Sequence, residues 1–361
     1  MGMNLLNPNQ NFWSGKRILV TGHTGFKGGW LTSWLLALGS DVCGFSLPPP
    51  TAPSFFNEVG LANRLRSELG DIRELEQLLS VMVSHRPEII FHLAAQPLVR
   101  RSYADPIETY STNVMGTINV FEGARRAGSV RAIVNVTSDK CYENREWMWG
   151  YRETDPMGGH DPYSNSKGCS ELITGAYRQS FFRDEGIAIA SARAGNVIGG
   201  GDWSEDRLVP DALRAFEQLK SVVLRNPMSV RPWQHVLEPL SGYLALAERL
   251  YEGDYTFADG WNFGPSDEGA KSVSWIVDRL AQAWGLQSIT PWIADTQHQP
   301  HEANMLRLDI TKARSLLAWQ PRWDLDTALN KIVGWHRAWQ AGANMAEWSL
   351  NEIREYQHTV P

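Results

Sequence analysis

Cysteine is scarce in this chain: Cys43, Cys141 and Cys169 are the three among 361 residues, and their spacing makes no pairs. That excludes a disulfide-stapled scaffold and the paired cysteines of a structural zinc site. The nine histidines show no ligand spacing, so no metal is expected. No apolar run approaches the ~20 residues of a membrane span, and the start lacks the basic-then-apolar pattern of a secretory signal. Neither a repeat nor a low-complexity tract is visible. Positive charge is also short, with 34 Lys and Arg against 40 Asp and Glu, a net −6 with the signs interspersed. No basic stripe offers itself to nucleic acid and no basic face to a membrane. The cytoplasm is the default expectation, and any anionic ligand must be met by local positive sites.

What is present begins with an apolar, strand-like run, Arg17 to Thr21 (RILVT), that leads into GHTGFKG before a helical stretch from Trp30 to Leu38. Gly22, Gly25 and Gly28 recur every third residue, as a phosphate-binding turn requires. One glycine permits the tight turn, one lets the backbone approach a pyrophosphate, and one packs helix on strand. Lys27 inside this loop has two open fates, a ribose 2′-phosphate or a pyrophosphate or solvent contact. The second strand, Asp41 to Ser46, ends in Ser46 and a proline run. The acid that usually grips the adenosine ribose of NAD is missing there, so NAD is favoured over NADP without being fixed.

Apolar runs then alternate with helical patterns: Glu88 to Leu93, a long helix from Pro106 to Ala127, Ala132 to Val136, and Ile187 to Ala192 after a further helix. Such alternation predicts an α/β fold, a doubly wound parallel sheet with helices on both faces. Ligands bind such sheets at the carboxyl ends of the strands. Gly22, Ala94 to Gln96, Ser138 to Lys140 and Arg193 to Asn196 all follow expected strands, which gathers them on one edge.

Two segments at that edge carry acid–base chemistry, TSDK (Thr137 to Lys140) and YSNSK (Tyr163 to Lys167). Tyr163 and Lys167 are four apart and share a helix face. A phenol with an ordinary pKa of about 10 becomes a base near neutrality only beside cations. Lys167 and an oxidised nicotinamide are the two candidates. Taken alone, Tyr and Lys at this spacing decorate many helices, and Ser138 to Lys140 could be a polar strand end. Asn113, among apolar helix positions, either holds backbone near the site or satisfies the core.

TGHTGFKG, HLAAQPLVR (His92 to Arg100), STNVMGT (Ser111 to Thr117), TSDKCY, DPYSNSK, RAGNVIGGGDW (Arg193 to Trp203) and RPWQHV (Arg231 to Val236) together resemble the extended short-chain dehydrogenase/reductases. In detail the chain, from about residue 12 to its end, is similar to bacterial CDP-glucose 4,6-dehydratases. The resemblance implies a Rossmann-type NAD-binding domain over residues 12–193 and a smaller α/β, mainly nucleotide-sugar-binding domain over 194–361, with about 234–265 returning to the first sheet. It implies oxidation at sugar C4, loss of water across C5 and C6, and return of the hydride to C6, in deoxysugar and lipopolysaccharide O-antigen biosynthesis. Cofactor contacts carry over to Gly22, Thr24, Gly25, Phe26, Lys27, Gly28, Asp71, Ile72, Leu93, Ala94, Ala95, Thr112, Tyr163, Lys167 and Arg193. Substrate contacts carry over to Gln96, Ser138, Asn196, Arg207, Arg225, Arg231, Trp233 and His301.

On chemical grounds Tyr163 would take the C4 hydroxyl proton, Ser138 would hydrogen-bond that oxygen, and Lys167 would orient the cofactor ribose and lower the phenol's pKa. Asp139 is the acid for the departing C6 hydroxyl, which requires a raised pKa. In related dTDP-glucose dehydratases a glutamate typically follows that aspartate, and here Lys140 stands instead. Either it is a lysine base with its pKa brought down from about 10.4, or it stabilises the enolate while another group moves the proton.

The Gly199 to Gly201 run is expected to present N–H groups to a diphosphate, Trp203 and Trp233 to stack on base or sugar, and the aromatic segment 143–158 to lie over the site. The long helices from Pro106 and Tyr163 resemble those that pair between subunits in this superfamily, which implies a homodimer or homotetramer. Two further classes remain beside the dehydratase. A sugar-nucleotide epimerase or decarboxylase would not need an acid aimed at C6, and a cofactor-sensing binding protein would not need Ser138, Tyr163 and Lys167.

Overall fold

The computed structural model describes residues 7–296 and 304–360. Strands β1 (Arg17–Thr21), β2 (Asp41–Ser46), β3 (Arg66–Leu69), β4 (Ile89–His92), β5 (Ala132–Val136), β6 (Ala188–Ala194) and β10 (Gly260–Phe263) form one sheet, in the order β10-β6-β5-β4-β1-β2-β3. Every pairing in it is parallel. The central strands read as continuous apolar runs because helices cover both faces; β4, β5 and β6 are buried at every position.

On one face lie α1 (Phe26–Ala37), α6 (Leu237–Tyr251) and α9 (Met345–His358), where Trp30, Trp34, Leu240, Leu244 and Tyr356 share a core. On the other lie α2 (Leu75–His85), α3 (Gly116–Ala127) and α4 (Pro162–Tyr177), around Leu78, Met82, Val120 and Phe121. The two-residue period of β6 decides a detail of the site. Ala188, Ala190, Ala192 and Ala194 join the core on the α6 face, while Ile189 joins the opposite core. Ser191 and Arg193 therefore point toward α4.

The remaining strands form two small sheets: β7 (Asn196–Ile198) with β9 (Val230–His235) and β11 (Ala270–Ser272), and β8 (Val222–Leu224) with β12 (Trp292–Ala294). Helices α5 (Leu208–Glu217), α7 (Val273–Trp284) and α8 (Leu325–Gln340) cover them through Leu213, Phe216, Ile276, Leu280, Leu329 and Ile332. Each such side chain, once fully buried, contributes about 1.5–3 kcal/mol.

Two elements differ from the sequence expectation. Helix α1 starts at Phe26, directly after Gly25, rather than at Trp30, so its first N–H groups belong to the glycine turn. The helix expected from Pro106 to Ala127 is interrupted by a wide π turn over Ser111–Met115. Asn113 sits in that turn and sends its side chain across to the loop after β4, a typical use of a π bulge.

Candidate active site

A cavity of about 1770 Å3 opens along the carboxyl ends of β1, β2, β4 and β5 and runs on to β7, β8 and β9. It spans the point where strand order reverses, with β2 on one side of β1 and β4 on the other, the usual ligand position in such sheets. Of the catalytic, cofactor and substrate residues carried over by the resemblance, all the described ones line it except Arg193, and His301 lies outside the described residues.

The glycine turn closes one end. Gly22 has φ +80°, and a Cβ there would lie 2.7 Å from the Ala94 nitrogen. A Cβ on Gly28 would lie 2.1 Å from the Gly22 carbonyl oxygen, which is why only glycine packs helix on strand here. Gly25 caps α1 without a side chain, leaving the helix N-terminus open toward the cavity, as an anion requires. In place of the missing acid, the Ser46 and Thr24 hydroxyls bond at 2.8 Å, and Thr24 also donates to the Leu47 carbonyl. Asp71 is engaged by the Arg73 guanidinium at 2.5 Å, which holds its carboxyl below the usual range. Asn119 pins the adjoining turn through the Ile72 and Arg73 carbonyls.

The loop after β4 is fixed from behind. Asn113 accepts from the Gln96 N–H at 2.8 Å and donates to the Gln96 carbonyl and the Ser166 hydroxyl. Gln96 itself lines the cavity, yet its amide is engaged within the chain, donating to Leu98 and Thr109 and accepting from the Leu98 N–H. Its side chain shapes the loop rather than reaching in.

The reactive groups converge at the ends of β5 and α4. Asp161 caps α4, accepting from the Ser164 N–H at 2.9 Å and from its hydroxyl, with Pro162 in the first turn. Tyr163 therefore stands at the positive end of the helix, which favours a phenolate. Without ligands, burial dominates and pushes its pKa up to about 12; Asp139 and Asp161 add to the rise, while the neighbouring Ser138 hydroxyl and Arg207 pull it down. Lys167 lies one turn on, its ammonium 3.3 Å from the Val136 carbonyl oxygen. Burial brings its pKa down to about 8, against the pull of Glu171.

Asp139 is 2% exposed. Its Oδ1 accepts from Ser138 at 3.0 Å, and Oδ2 has no hydrogen-bond partner among the described residues. Burial raises its pKa, opposed by Lys140, Ser138 and Arg231, and a protonated carboxyl on a residue that lines the cavity is what a general acid needs. Lys140 stands beside it on the wall, half-buried.

Two features, Arg193 and the glycine run, lie elsewhere than the sequence places them. Arg193 does not reach the cofactor end: its guanidinium is buried on Glu171 at 2.8 Å, on the Tyr142 hydroxyl at 2.6 Å and on the Glu153 carbonyl, because the strand period turns it toward α4. Lys27 lines the cavity beside the glycine turn. Its ammonium is 5.9 Å from the Tyr243 ring, among Arg207, Lys167 and Asp139, and burial and the two cations lower its pKa to about 7. Of the glycine run, Gly200 packs on Trp335 and Gly201 on Phe55, leaving Gly199 on the cavity wall.

At the far end, Arg207 pairs with Asp202 at 2.8 Å. Arg231 is 5% exposed and acts on Asp139, while Arg225 lies on the wall near Asp211. Asn196 and Trp233 are register partners on β7 and β9, and the Trp233 indole donates to the Lys271 carbonyl. Trp203 lines the cavity while packing edge-on against Trp335 and Trp339. From the segment after β5, Glu143, Asn144, Glu146 and Gly158 to Asp161 supply wall; Trp147 stacks on Tyr151 instead. His235 faces Glu352 at 3.1 Å in the core, a structural pair.

The family model described as GDP-mannose 4,6 dehydratase matches residues 19–332. The CDP-glucose 4,6-dehydratase of Salmonella typhimurium is 55% identical over 352 residues, which cover 96% of this chain and 98% of that protein. The UDP-glucose 4-epimerase of Mycolicibacterium smegmatis is 27% identical over 89% of this chain and 98% of its own. Among solved structures, the dTDP-glucose 4,6-dehydratase of Bacillus anthracis in complex with NAD superposes with a TM-score of 0.75 over 92% of this chain and all of that one, at 21% identity. The Streptomyces venezuelae dTDP-glucose 4,6-dehydratase gives 0.77 over 91% and 99%, at 24% identity. The glycine turn, the Ser138, Tyr163 and Lys167 set and the match along the chain agree: this chain belongs to the GDP-mannose 4,6 dehydratase family of nucleotide-sugar enzymes.

Proposed function

We propose that the chain is an NAD-dependent lyase that converts CDP-D-glucose to CDP-4-dehydro-6-deoxy-D-glucose. The observation that carries this reading is the buried Asp139, its pKa raised, beside Lys140 and within the same cavity as Tyr163. An epimerase has no use for a protonated carboxyl there, and a cofactor sensor has no use for the set as a whole. The 55% identity to a CDP-glucose enzyme along nearly the whole chain supports the choice of nucleotide.

The residues present fit NAD. A dinucleotide phosphate matches the open N-terminus of α1 and the glycine cradle that a Cβ would fill. Residues 47–54 after Ser46 contain no Lys or Arg to meet a 2′-phosphate, which favours NAD over NADP. Gly22, Thr24, Gly25 and Gly28 would hold it at the phosphates, Ile72 and Leu93 to Ala95 along its length, and Lys167 at the ribose. Bound NAD would supply the hydride acceptor and, later, the donor.

In the chain's own steps, Tyr163 as phenolate takes the proton of the sugar C4 hydroxyl while Ser138 hydrogen-bonds that oxygen. The C4 ketone acidifies C5–H. Lys140 then removes that proton or stabilises the enolate, and Asp139 protonates the departing C6 hydroxyl as water. Arg207, Arg225, Arg231 and Asn196 are the proposed diphosphate and nucleoside contacts. We assign residues 12–193 mainly to cofactor and 194–361 mainly to substrate, with the part around 234–265 in the main sheet.

Ile107, Leu172 and Met115, 81%, 64% and 52% exposed along the helices from Pro106 and Pro162, support a homodimer or homotetramer. A single ~40 kDa species in sedimentation, the mass of one chain, would exclude it. Among the described residues no helix is long and apolar enough to cross a membrane, in keeping with cytoplasmic deoxysugar synthesis. The test of the function is incubation of the purified chain with CDP-, dTDP-, GDP- and UDP-sugars, with NAD or NADP added. A 4-keto-6-deoxy product from CDP-glucose is expected, and its absence would overturn the reading.

A further inference from the structure

Glu171 stands one turn beyond Lys167 on α4 and takes no part in the steps above. Its side chain is 4% exposed, and that of its partner Arg193 is 6% exposed. Burial alone would raise the pKa of this carboxyl, but Arg193, Ser191 and Thr137 together hold it below the usual range, so it is an anion. Oε2 accepts from Arg193 at 2.8 Å and from Ser191 at 2.6 Å, and Oε1 accepts from the Thr137 hydroxyl. Arg193 continues to the Tyr142 hydroxyl, which donates to Asn262 at 2.7 Å. One carboxylate thus joins the end of β5, the middle of β6 and the helix that bears Tyr163.

A buried ion pair is a poor stabiliser, since two well-packed apolar side chains would serve as well or better. Its position suggests another use. Thr137 directly precedes Ser138, so its bond to Glu171 sets the catalytic strand end against α4. Lys167 is acted on by Glu171 on its own helix and Cys141 on the turn after β5, it acts in turn on His92 on β4 and Lys27 on α1, and Tyr163 and Asp139 line the same cavity. Burial keeps Cys141 and His92 neutral and favours the neutral carboxyl of Asp139. Before Tyr163 ionises, Glu171 is the anion in this group.

We propose that Glu171, neutralised on its far side by Arg193, is a positioning residue that fixes Ser138 against Tyr163 and keeps the buried Lys167 ammonium charged during turnover. The proposal rests on the reading that Lys167 acts as an ammonium beside Tyr163. Without the carboxylate, burial would dominate Lys167 and the amine would lose its proton at a lower pH.

The test follows Lys167 in the full-length chain by NMR of 13C-labelled lysine, with Lys167→Met identifying the signal, alongside the pH profile of kcat/KM for CDP-glucose. Glu171→Gln keeps the side-chain shape and removes the charge. The Lys167 transition and the alkaline limb of the profile are both expected to move down by about one pH unit or more, with kcat reduced more than KM is raised. If Glu171→Gln fails to fold because Arg193 is left unpaired, Glu171→Gln with Arg193→Gln removes both charges and should still lower the transition. A transition and limb that stay in place, with activity reduced equally at every pH, would make the cluster merely structural and overturn the proposal. Wild-type chain that yields no product while the transition still moves would sink the functional reading and leave this inference standing.

Discussion

Asp139→Asn separates oxidation from elimination. The substitution is nearly isosteric at a side chain 2% exposed, and an asparagine Oδ1 can still accept the 3.0 Å bond from Ser138. What vanishes is the transferable proton at the position of Oδ2, the atom left without a partner. A positioned acid contributes about 10²–10⁴-fold, so formation of the 4-keto-6-deoxy product should slow by about that factor. Tyr163, Ser138 and Lys167 are untouched, so C4 oxidation should proceed and reduced nicotinamide should accumulate, read by its absorbance in stopped flow. Solvent deuterium should still enter at C5. Because the acid works only when protonated, the wild-type elimination rate should fall as pH rises through the raised Asp139 pKa, and this limb should be absent in the variant. Stability carries an independent sign. A carboxyl whose folded pKa is raised weakens the fold progressively above its unfolded value, so the neutral amide should raise Tm near neutral pH. Product formed at the wild-type rate, or loss of the reduced-nicotinamide signal together with product, would refute the assignment.

Lys140→Met should still oxidise C4 transiently but fail to exchange the C5 hydrogen with deuterated solvent; unimpaired exchange would make Lys140 an electrostatic stabiliser. Gly28→Ala would place a Cβ 2.1 Å from the Gly22 carbonyl oxygen, and the glycine turn must open by about an ångström to reach ordinary contact. Dinucleotide affinity, measured by calorimetry, should drop at least about 100-fold, or about 2.7 kcal/mol. Trp335 is fully buried, donates to Ser349 at 2.9 Å and props Gly200, so Trp335→Ala should cost about 3–5 kcal/mol in urea unfolding.

Much of the sheet was readable because parallel strands buried on both faces become unbroken apolar runs. RILVT and AIVNV fall on β1 and β5 with the expected bounds. The start of α1 was harder to read, because Phe26, Lys27 and two glycines carry no apolar period. The interruption at Asn113 has no composition signal at all, since it exists to let one amide reach Gln96 and Ser166. Arg193 follows the same logic. It ends a strand next to the cavity in sequence, but β6 alternates small residues toward α6, so its odd positions turn toward α4.

By itself the sequence determined the strand and helix alternation around β1, β2, β4, β5 and β6, the glycine turn, and the inventory of proton-handling groups in TSDK and YSNSK, all set by local spacing. Only the tertiary structure decided which of those groups are charged. Burial favours a protonated carboxyl at Asp139, takes Lys27 and Lys167 down to about 7 and 8, and leaves Glu171 an anion held by Arg193. Desolvation and Coulomb interactions depend on what the fold packs around a group, and the partners that settle them here come from strands and helices far apart in the chain.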